Sequence, residues 1–321
     1  MRRSDAIETN RFAMHGTCVE TDPSDPRSGI GVETASAIVR KGAKVVLACR
    51  NPEKGKKLAE NILEEARQIG KVIHEPKVME LDVASLDSVR NFAQQWKAIG
   101  DPIDVLINNA GIFNMGVPRS STEDGYEAHL GTNYMGHVLL FFLLLPYLKD
   151  AGQGADARVI FVSSKLHKVG RMHFDDLQLV KKYSPLVGYS QSKLAQLLVV
   201  KHLRKVLRRD TGIVCLSLHP GEVLTDVVKT LPLLVQRLYR LIMQLFLLTP
   251  RQGCRSTVFA ASGNFGDIEP AVDATFGYLG SDCRPLMPSK AVQFEEDAEE
   301  LWAWTLKELG MDSSSLLKEI Q

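Results

Sequence analysis

The chain has 321 residues and a formal net charge of +1, and hydrophobic residues make up 45% of it. That share of apolar side chains is typical of a soluble globular protein and excludes a disordered or collagen-like chain. The near-zero charge argues against a nucleic-acid-binding protein, because such domains carry a basic excess. Five scattered cysteines form no C-x-x-C pair and fit a reducing compartment. No metal site is predicted, and we interpret His167 and His173 as polar loop residues.

Short apolar runs alternate with helical periodicity along most of the chain. Residues 1–16 predict a polar N-terminal tail, and the run 17–19 is a poor first strand. The predicted strands are 44–48, 78–81, 103–107, 159–162 and 213–218. The predicted helices are 53–69, 86–99, 123–148 (bent or ended near Pro146) and 189–207, with a C-terminal helical extension at 290–321. Because helices separate the strands, we expect a single-domain α/β fold over 17–321, a Rossmann-like doubly wound parallel sheet with helices on both faces.

Small or polar residues follow five of the predicted strands, at the point where each strand ends. In a parallel α/β sheet, ligands bind beyond the carboxyl ends of the strands. The five segments therefore predict one ligand-binding crevice. They are Cys49-Arg50-Asn51, Asp82-Val83, Asn108-Asn109-Ala110-Gly111, Ser163-Ser164 and His219-Pro220-Gly221.

Tyr189 and Lys193 are four residues apart near the start of a predicted helix, so their side chains share one helix face. The pair alone is also typical of an ordinary amphipathic helix. A free phenol has a pKa of about 10 and is a poor acid–base catalyst at neutral pH. An ammonium ~4 Å away stabilises the phenolate by about 4 kcal/mol at an effective dielectric of ~20, or roughly three pKa units at most. We therefore expect Lys193 to bring the pKa of Tyr189 towards neutrality.

Taken in order, the motifs N-N-A-G at 108–111, S-S at 163–164, Y-x-x-x-K at 189–193 and P-G at 220–221 resemble the short-chain dehydrogenase/reductase family. The resemblance covers most of the chain and implies hydride transfer between a nicotinamide and an alcohol or carbonyl. In the family, the tyrosine donates or accepts the proton and the serine hydrogen-bonds the substrate oxygen. The lysine binds the nicotinamide ribose and lowers the tyrosine pKa, and an asparagine holds a water of the proton relay. By resemblance, the catalytic tetrad is Asn133, Ser164, Tyr189 and Lys193.

Three further segments narrow the resemblance to the retinol-dehydrogenase-like branch. They are F-D-D-L-Q at 174–178, L-T-P-R-Q-G-C-R-S at 248–256 and D-C-R-P at 282–285. Two more, K-Y-S-P-L-V-G-Y-S-Q-S-K-L-A-Q at 182–196 and W-x-x-T-L-K-E-L-G at 302–310, resemble a plant oxidoreductase within that branch. This likeness implies an oxidoreductase and names no substrate.

The arginine just after the predicted strand 44–48 favours NADP(H) over NAD(H). A carboxylate about twenty residues after the glycine turn suits the ribose 2′-OH of NAD, whereas an arginine accommodates the 2′-phosphate of NADP. Arg50 stands there, and a guanidinium matches phosphate in charge and geometry. The alternative is a solvated arginine at a helix start. By resemblance, the cofactor-binding residues are Gly29, Ile30, Gly31, Arg50, Asp82, Val83, Asn109, Ala110, Gly111, Tyr189, Lys193, Pro220, Val223 and Thr225.

The glycine turn departs from the family pattern T-G-x-x-x-G-x-G. Ser24 and Asp25 replace the threonine and the first glycine, whereas Gly29 and Gly31 remain. The aspartate adds a Cβ and a negative charge where phosphates bind, and two nearby prolines each remove an N–H donor. One explanation is a weakened or inactive scaffold that acts through partners. The other is that the turn takes a different path and the helix start at 29–31 still cradles the pyrophosphate.

Two apolar segments concern the substrate and the surroundings of the protein. Residues 231–248 carry polar side chains on one helical stripe, and by resemblance they form the substrate lid, which implies a lipophilic alcohol or carbonyl. The alternatives are a peripheral membrane contact, a core helix or a homodimer contact. The run 138–148 is short of the ~20 apolar residues that span a bilayer and is expected in the core or a dimer interface. We expect an intracellular protein, cytoplasmic or peripheral on an organelle membrane.

Overall fold

All seven strands of the computed structural model lie in one parallel sheet, in the order β3-β2-β1-β4-β5-β6-β7. The model describes residues 11–15, 29–70, 72–152, 157–207, 212–222, 248–263, 268 and 276–311, with the backbone alone for 11–15 and 149–152. The strands are β1 (Arg11–His15), β2 (Lys44–Cys49), β3 (Lys77–Glu80), β4 (Val105–Asn108), β5 (Arg158–Val162), β6 (Val214–Leu218) and β7 (Tyr278–Leu279). The helices are α1 (Ile30–Val39), α2 (Pro52–Gln68), α3 (Leu86–Ile99), α4 (Ala128–Leu130), α5 (Gly136–Gly152), α6 (Pro185–Leu207), α7 (Pro250–Gly253), α8 (Arg255–Ser262), α9 (Lys290–Gln293) and α10 (Glu295–Glu308).

A hydrophobic core lies on each face of the sheet, which confirms the predicted fold class. Strand β4 contributes to both cores, because Leu106 packs into one while Val105 and Ile107 pack into the other. Its four residues are all buried, as expected for a strand of a parallel sheet that helices cover on both sides. The first core contains residues of α3, α5, α6 and α10, and the second contains residues of α1, α2 and α8.

The first strand lies in the segment that the sequence predicts as a polar tail. Strand β1 (Arg11–His15) pairs in parallel with β2 on one edge and with β4 on the other. The tail prediction over 1–16 is therefore wrong for these five residues. The strand has only three apolar residues between an arginine and a histidine, so its identity depends on backbone pairing more than on hydrophobic pattern. The strand predicted at 17–19 and the altered glycine turn lie outside the described residues.

The predicted long helix at 123–148 consists of three pieces. Helix α4 is followed by a π-helical turn, Gly131–Met135, and then by α5. The first residue of α5, Gly136, has to be a glycine, because a Cβ at that position would overlap the Val83 carbonyl oxygen in the loop after β3. Pro146 does not end the helix, contrary to one of the predicted alternatives. Dense packing of its neighbours, including the fully buried Leu145, offsets the one hydrogen bond that the proline removes.

The apolar run at 138–148 belongs to the core. Ala128–Leu148 is the one stretch among the described helices that is long and apolar enough to cross a membrane, and 89% of its most apolar window is buried inside the fold. Helix α10 covers part of this run, since Trp302 stacks on Phe142 with ring centroids 5.2 Å apart. The C-terminal extension is thus helical where it is described, and residues 312–321 lie outside the described part. The lid segment lies outside it too, except for Leu248.

Candidate active site

The segments after the strands open on one edge of the sheet, as the sequence predicts. Strand β1 lies between β2 and β4, so the chain order reverses there and leaves a crevice at the carboxyl ends of β1 and β4. The expected cofactor residues Val223 and Thr225 lie outside the described residues. Around the crevice lie Arg50 after β2, Asp82 and Val83 after β3, Asn109, Ala110 and Gly111 after β4, Ser163 and Ser164 after β5, and Pro220 after β6.

Tyr189 lies in the first turns of α6, with its ring held between aromatic neighbours. Phe113 stacks on it with centroids 4.3 Å apart and an 18° interplanar angle, and His129 meets it edge-on at 6.1 Å. The phenol hydrogen-bonds the Ser164 side chain. Burial raises the pKa of Tyr189, and the hydrogen bond with Ser164 opposes part of that rise.

The two consecutive serines after β5 have different partners. Ser163 is buried, and its hydroxyl donates to the Lys193 carbonyl oxygen at 2.8 Å, which ties β5 to α6. The Ser164 hydroxyl accepts from the Leu166 N–H at 3.2 Å and contacts the Tyr189 phenol. Ser164 is therefore the serine that the structure brings to the tyrosine.

Lys193 is buried beneath the crevice floor. Its Nζ donates to the Val162 carbonyl at 2.9 Å and to Gln196 Oε1 at 3.2 Å, and it lies 5.7 Å from the Tyr189 ring centroid. Burial lowers the pKa of Lys193 to about 7. The expectation that Lys193 lowers the pKa of Tyr189 is contradicted for the chain without cofactor. Desolvation penalises both charges here, and a half-neutralised ammonium stabilises a phenolate less than a full charge.

Asn133 lies in the π-helical turn and ties together three parts of the site. Its Oδ1 accepts from the Ile112 N–H at 2.8 Å, and its Nδ2 donates to the Ile112 carbonyl at 3.1 Å and to Ser192 Oγ at 2.9 Å. The side chain therefore positions the loop after β4 against α6. Its main-chain carbonyl accepts from Gln196 Nε2 at 2.7 Å and from His137 Nδ1 at 3.0 Å.

Gly111 leaves an opening directly above these polar groups. A Cβ there would lie 3.2 Å from Asn133 Oδ1 and 3.3 Å from Lys193 Nζ, so a side chain would fill the approach to both. Nearby, the buried side-chain oxygen and nitrogen of Asn108 find no partner within the described part of the chain. A glycine that leaves these polar groups uncovered fits a nicotinamide dinucleotide lying across the ends of β1 and β4.

The described start of α1 also fits a phosphate group. Gly29 has φ 127°, a backbone conformation that glycine tolerates and other residues rarely adopt, and Ile30 begins the helix. The helix N-terminus presents N–H groups and a positive dipole end. Arg50 is exposed immediately after β2, and its neighbour Asn51 caps α2 by accepting from the Lys54 N–H at 3.0 Å.

Asp82 and Val83 lie in a tightly held turn between β3 and α3. The Asp82 N–H donates to Ser88 Oγ, and its Oδ1 accepts from the Ala84 N–H, both at 2.9 Å. Val83 is buried against Gly136. Asp82 is half-buried, so part of its carboxylate borders the crevice where the adenine is expected.

A buried dyad next to Tyr189 was not predicted. Glu127 Oε1 lies 2.8 Å from His129 Nδ1, and both side chains are fully buried. His129 Nε2 accepts from the Asn114 N–H at 3.1 Å, so Nδ1 carries the proton and the imidazole is neutral. Gly188 permits this contact, since a Cβ there would lie 3.0 Å from His129 Nδ1. The sequence signal for this dyad is a glutamate and a histidine, two residues apart, at the start of an otherwise apolar helix.

Of the two histidines predicted as polar loop residues, His173 lies in a loop, whereas His167 lies in the 3₁₀-helix Lys165–Val169, so the prediction is wrong for His167. Within the residues that the structure describes, no group of three or more His, Cys, Asp or Glu side chains is placed to bind an ion. His167 is buried, with Nδ1 donating to the Ser164 carbonyl at 2.7 Å and Nε2 accepting from the Ser289 N–H at 3.2 Å. Burial lowers its pKa, so it supports the Ser164 turn as a neutral ring.

Comparison with known proteins identifies relatives along nearly the whole chain. The family model described as short chain dehydrogenase matches residues 26–233. The chain is 37% identical over 319 residues to the dehydrogenase/reductase SDR family member FEY of Arabidopsis thaliana, covering 95% of this chain and 81% of that protein. It is 38% identical over 301 residues to retinol dehydrogenase 14 of Homo sapiens, covering 90% and 85%. It is 40% identical over 285 residues to polyprenol dehydrogenase of Homo sapiens, covering 88% and 82%. The predicted likeness to a plant oxidoreductase and to retinol dehydrogenases is confirmed.

Solved structures show the same architecture. A crystal structure of an uncharacterised protein from Mycobacterium paratuberculosis aligns with a TM-score of 0.68 and 32% identity, covering 94% of both chains. NADPH-bound carbonyl reductase from chicken fatty liver aligns with a TM-score of 0.57 and 22% identity, covering 86% of this chain and 99% of that one, and shows the fold alone.

Proposed function

Because the chain belongs to the short-chain dehydrogenase/reductase family, and is thus an oxidoreductase acting on CH–OH groups with NAD(P), we propose an NADP(H)-dependent enzyme for lipophilic alcohols or carbonyls. Tyr189 is its acid–base group. The observation that carries the proposal is the arrangement of Ser164, Tyr189 and Lys193 around the opening at Gly111. When bound, the nicotinamide supplies or accepts the hydride.

Tyr189 is poised as a proton donor. Its raised pKa keeps the phenol protonated at neutral pH, and the Ser164 side chain interacts with the phenol. A substrate carbonyl oxygen at the crevice edge meets two hydroxyl donors, one from each side chain. The site is therefore prepared for carbonyl reduction at neutral pH, with the phenol proton passing to the substrate oxygen.

Lys193 positions the cofactor rather than the substrate. Two of its three N–H groups are directed to Val162 and Gln196 inside the protein. The third is free to reach a ribose hydroxyl through the opening that Gly111 leaves. Asn133 keeps that opening in place by holding Ile112, the next residue of the same loop.

The preference for NADP(H) rests on Arg50. Arg50 is exposed just after β2, whereas the side chain of its neighbour Asn51 is already used to cap α2. Replacing Arg50 with serine should weaken NADPH binding about 10- to 100-fold, since hydrogen bonds to charged groups contribute about 1.5–3 kcal/mol. NADH binding should change little. Arg67→Ser, at the far end of α2, is the matched control, and an equal loss for both cofactors in Arg50→Ser would contradict the assignment.

The lipophilic substrate is supported by the relatives and by the position of the residues that flank the lid segment. The chain leaves the described residues at Glu222 and returns at Leu248, whose N–H donates to the Glu222 carbonyl at 2.8 Å. The two described residues that flank the lid segment therefore lie next to each other, close to Pro220 at the crevice. Relatives named for retinol and polyprenol share this region of sequence. The same apolar segment is the proposed contact with an organelle membrane surface inside the cell or with a second copy of the chain. Liposome flotation tests the membrane contact, and sedimentation tests the second copy.

Titration of the purified chain with NADPH, followed by turnover of hydrophobic aldehydes, tests the function. Micromolar binding and turnover that Tyr189→Phe abolishes are expected. Turnover that survives this change would remove Tyr189 from its role. Failure to bind NADPH would instead favour a scaffold without activity, and recovery of binding in Asp25→Gly would identify the aspartate as the cause.

A further inference from the structure

A buried glutamine outside the tetrad joins two of the tetrad's members. Gln196 lies on α6, three residues after Lys193, and is fully buried. Its Oε1 accepts from Lys193 Nζ at 3.2 Å, and its Nε2 donates to the Asn133 carbonyl at 2.7 Å. One side-chain amide thus spans the gap from the lysine ammonium to the π-helical turn.

We propose that Gln196 is a positioning residue for the reaction, which fixes the Lys193 ammonium and occupies the place of a water between Lys193 and Asn133. The inference rests on the proposed function. In that function, Lys193 positions the cofactor, so the placement of its ammonium matters for the rate.

The geometry leaves little freedom to either end of this bridge. Val162 holds Lys193 Nζ from the end of β5, and Gln196 holds it from its own helix, so two fixed acceptors orient a long flexible side chain. At the other end, the Asn133 carbonyl receives Gln196 Nε2 and His137 Nδ1. A carbonyl oxygen has two lone pairs, and these two donors use both.

An amide in this place changes how protons reach the site. A water between Lys193 and Asn133 is able to pass a proton along a hydrogen-bonded chain, whereas a side-chain amide holds its N–H protons at neutral pH. The Gln196 amide therefore relays no proton between Lys193 and Asn133. After Tyr189 gives its proton to the substrate oxygen, it recovers one from the water of the crevice.

The test compares the titration of Lys193 in three cofactor-free proteins, by NMR of chains labelled at the lysine side-chain carbon next to Nζ. Gln196→Glu keeps an acceptor for Lys193 and adds a negative charge, which should raise the pKa of the ammonium by roughly one to three units. Gln196→Leu removes both hydrogen bonds at similar volume and should lower it. Gln191→Leu is the matched control, because Gln191 is equally buried on α6 but bonds the His173 N–H and the Leu177 carbonyl.

Kinetics with NADPH and an aldehyde supply the second measurement. Gln196→Leu should reduce kcat by about 10²-fold with little change in KM, the scale expected for a small misplacement of a catalytic group. An unchanged Lys193 titration in both variants would overturn the proposal, and if one variant fails to fold, the other decides. If the Gln196 variants shift the Lys193 titration but the wild type shows no turnover, the proposed function is rejected and the Gln196 bridge is retained.

Discussion

Replacement of Lys193 by methionine should change the free energy of unfolding in a strongly pH-dependent way. The ammonium is buried, and its pKa falls from 10.5 to about 7 on folding. Methionine has a similar length and no charge, so it removes the titration while it leaves most of the packing. The fixed cost of the two lost hydrogen bonds is the same at every pH and cancels when two pH values are compared.

The sign follows from proton binding. Between pH 7 and pH 10.5, the unfolded chain holds a proton on Lys193 that the folded chain has released, so stability rises with pH through this window. Below pH 7, the burial penalty reaches its full size of ~5 kcal/mol. From pH 7 to pH 9, the wild type should gain about 2 kcal/mol relative to Lys193→Met.

Urea unfolding of both proteins at pH 7 and pH 9 measures this difference. Lys57→Met, which removes an exposed lysine from α2, controls for the loss of one positive charge from the chain. A stability difference between wild type and Lys193→Met that is equal at the two pH values would refute the reasoning. It would mean that the lysine stays fully protonated in the folded chain.

Three other predictions concern packing, the serine pair and the phenol. Gly136→Ala should lower the free energy of unfolding by about 1–3 kcal/mol, because its Cβ overlaps the Val83 carbonyl oxygen, and thermal melting measures it. Ser163→Ala should cost about 1 kcal/mol of stability, whereas Ser164→Ala should reduce kcat about 10²-fold; the reverse result would exchange their roles. Because burial raises the pKa of Tyr189, carbonyl reduction should hold from acidic to neutral pH and fall only in alkaline solution, while alcohol oxidation rises there; a reduction rate that falls on going from pH 6 to pH 8 would contradict this.

Sequence predicts the sheet where strands are apolar and the crevice where polar residues follow them. It predicts α3 at its observed bounds, and in the structure Ser85 caps the start of this helix while Gly100 ends it in the left-handed conformation. It fails at β1, since a five-residue strand between two partners needs little hydrophobic pattern of its own. It also fails to divide the helix at 123–148, because the π-helical turn depends on contacts such as that of Gly136 with the loop after β3.

At the site, sequence motifs give the identities of the side chains and leave their electrostatics undetermined. The spacing of Tyr189 and Lys193 places them on one face, as the structure shows. Their pKa values depend on burial, which comes from distant segments packed over α6, so the expected direction for Tyr189 is reversed in the cofactor-free chain. Gln196 and His129 carry no motif, and only three-dimensional contact relates them to the tetrad.

Helices α5 and α6 need helix α10, which comes much later in the chain, to cover part of their apolar surface. Trp302 lies between Phe142 of α5 and His202 of α6, with centroids 5.2 and 4.7 Å away. A ribosome delivers this tryptophan after both α5 and α6, so the helix that bears the tyrosine exposes apolar surface to solvent until α10 has been made. A premature stop before residue 290 should accordingly yield an aggregating intermediate in place of a smaller enzyme.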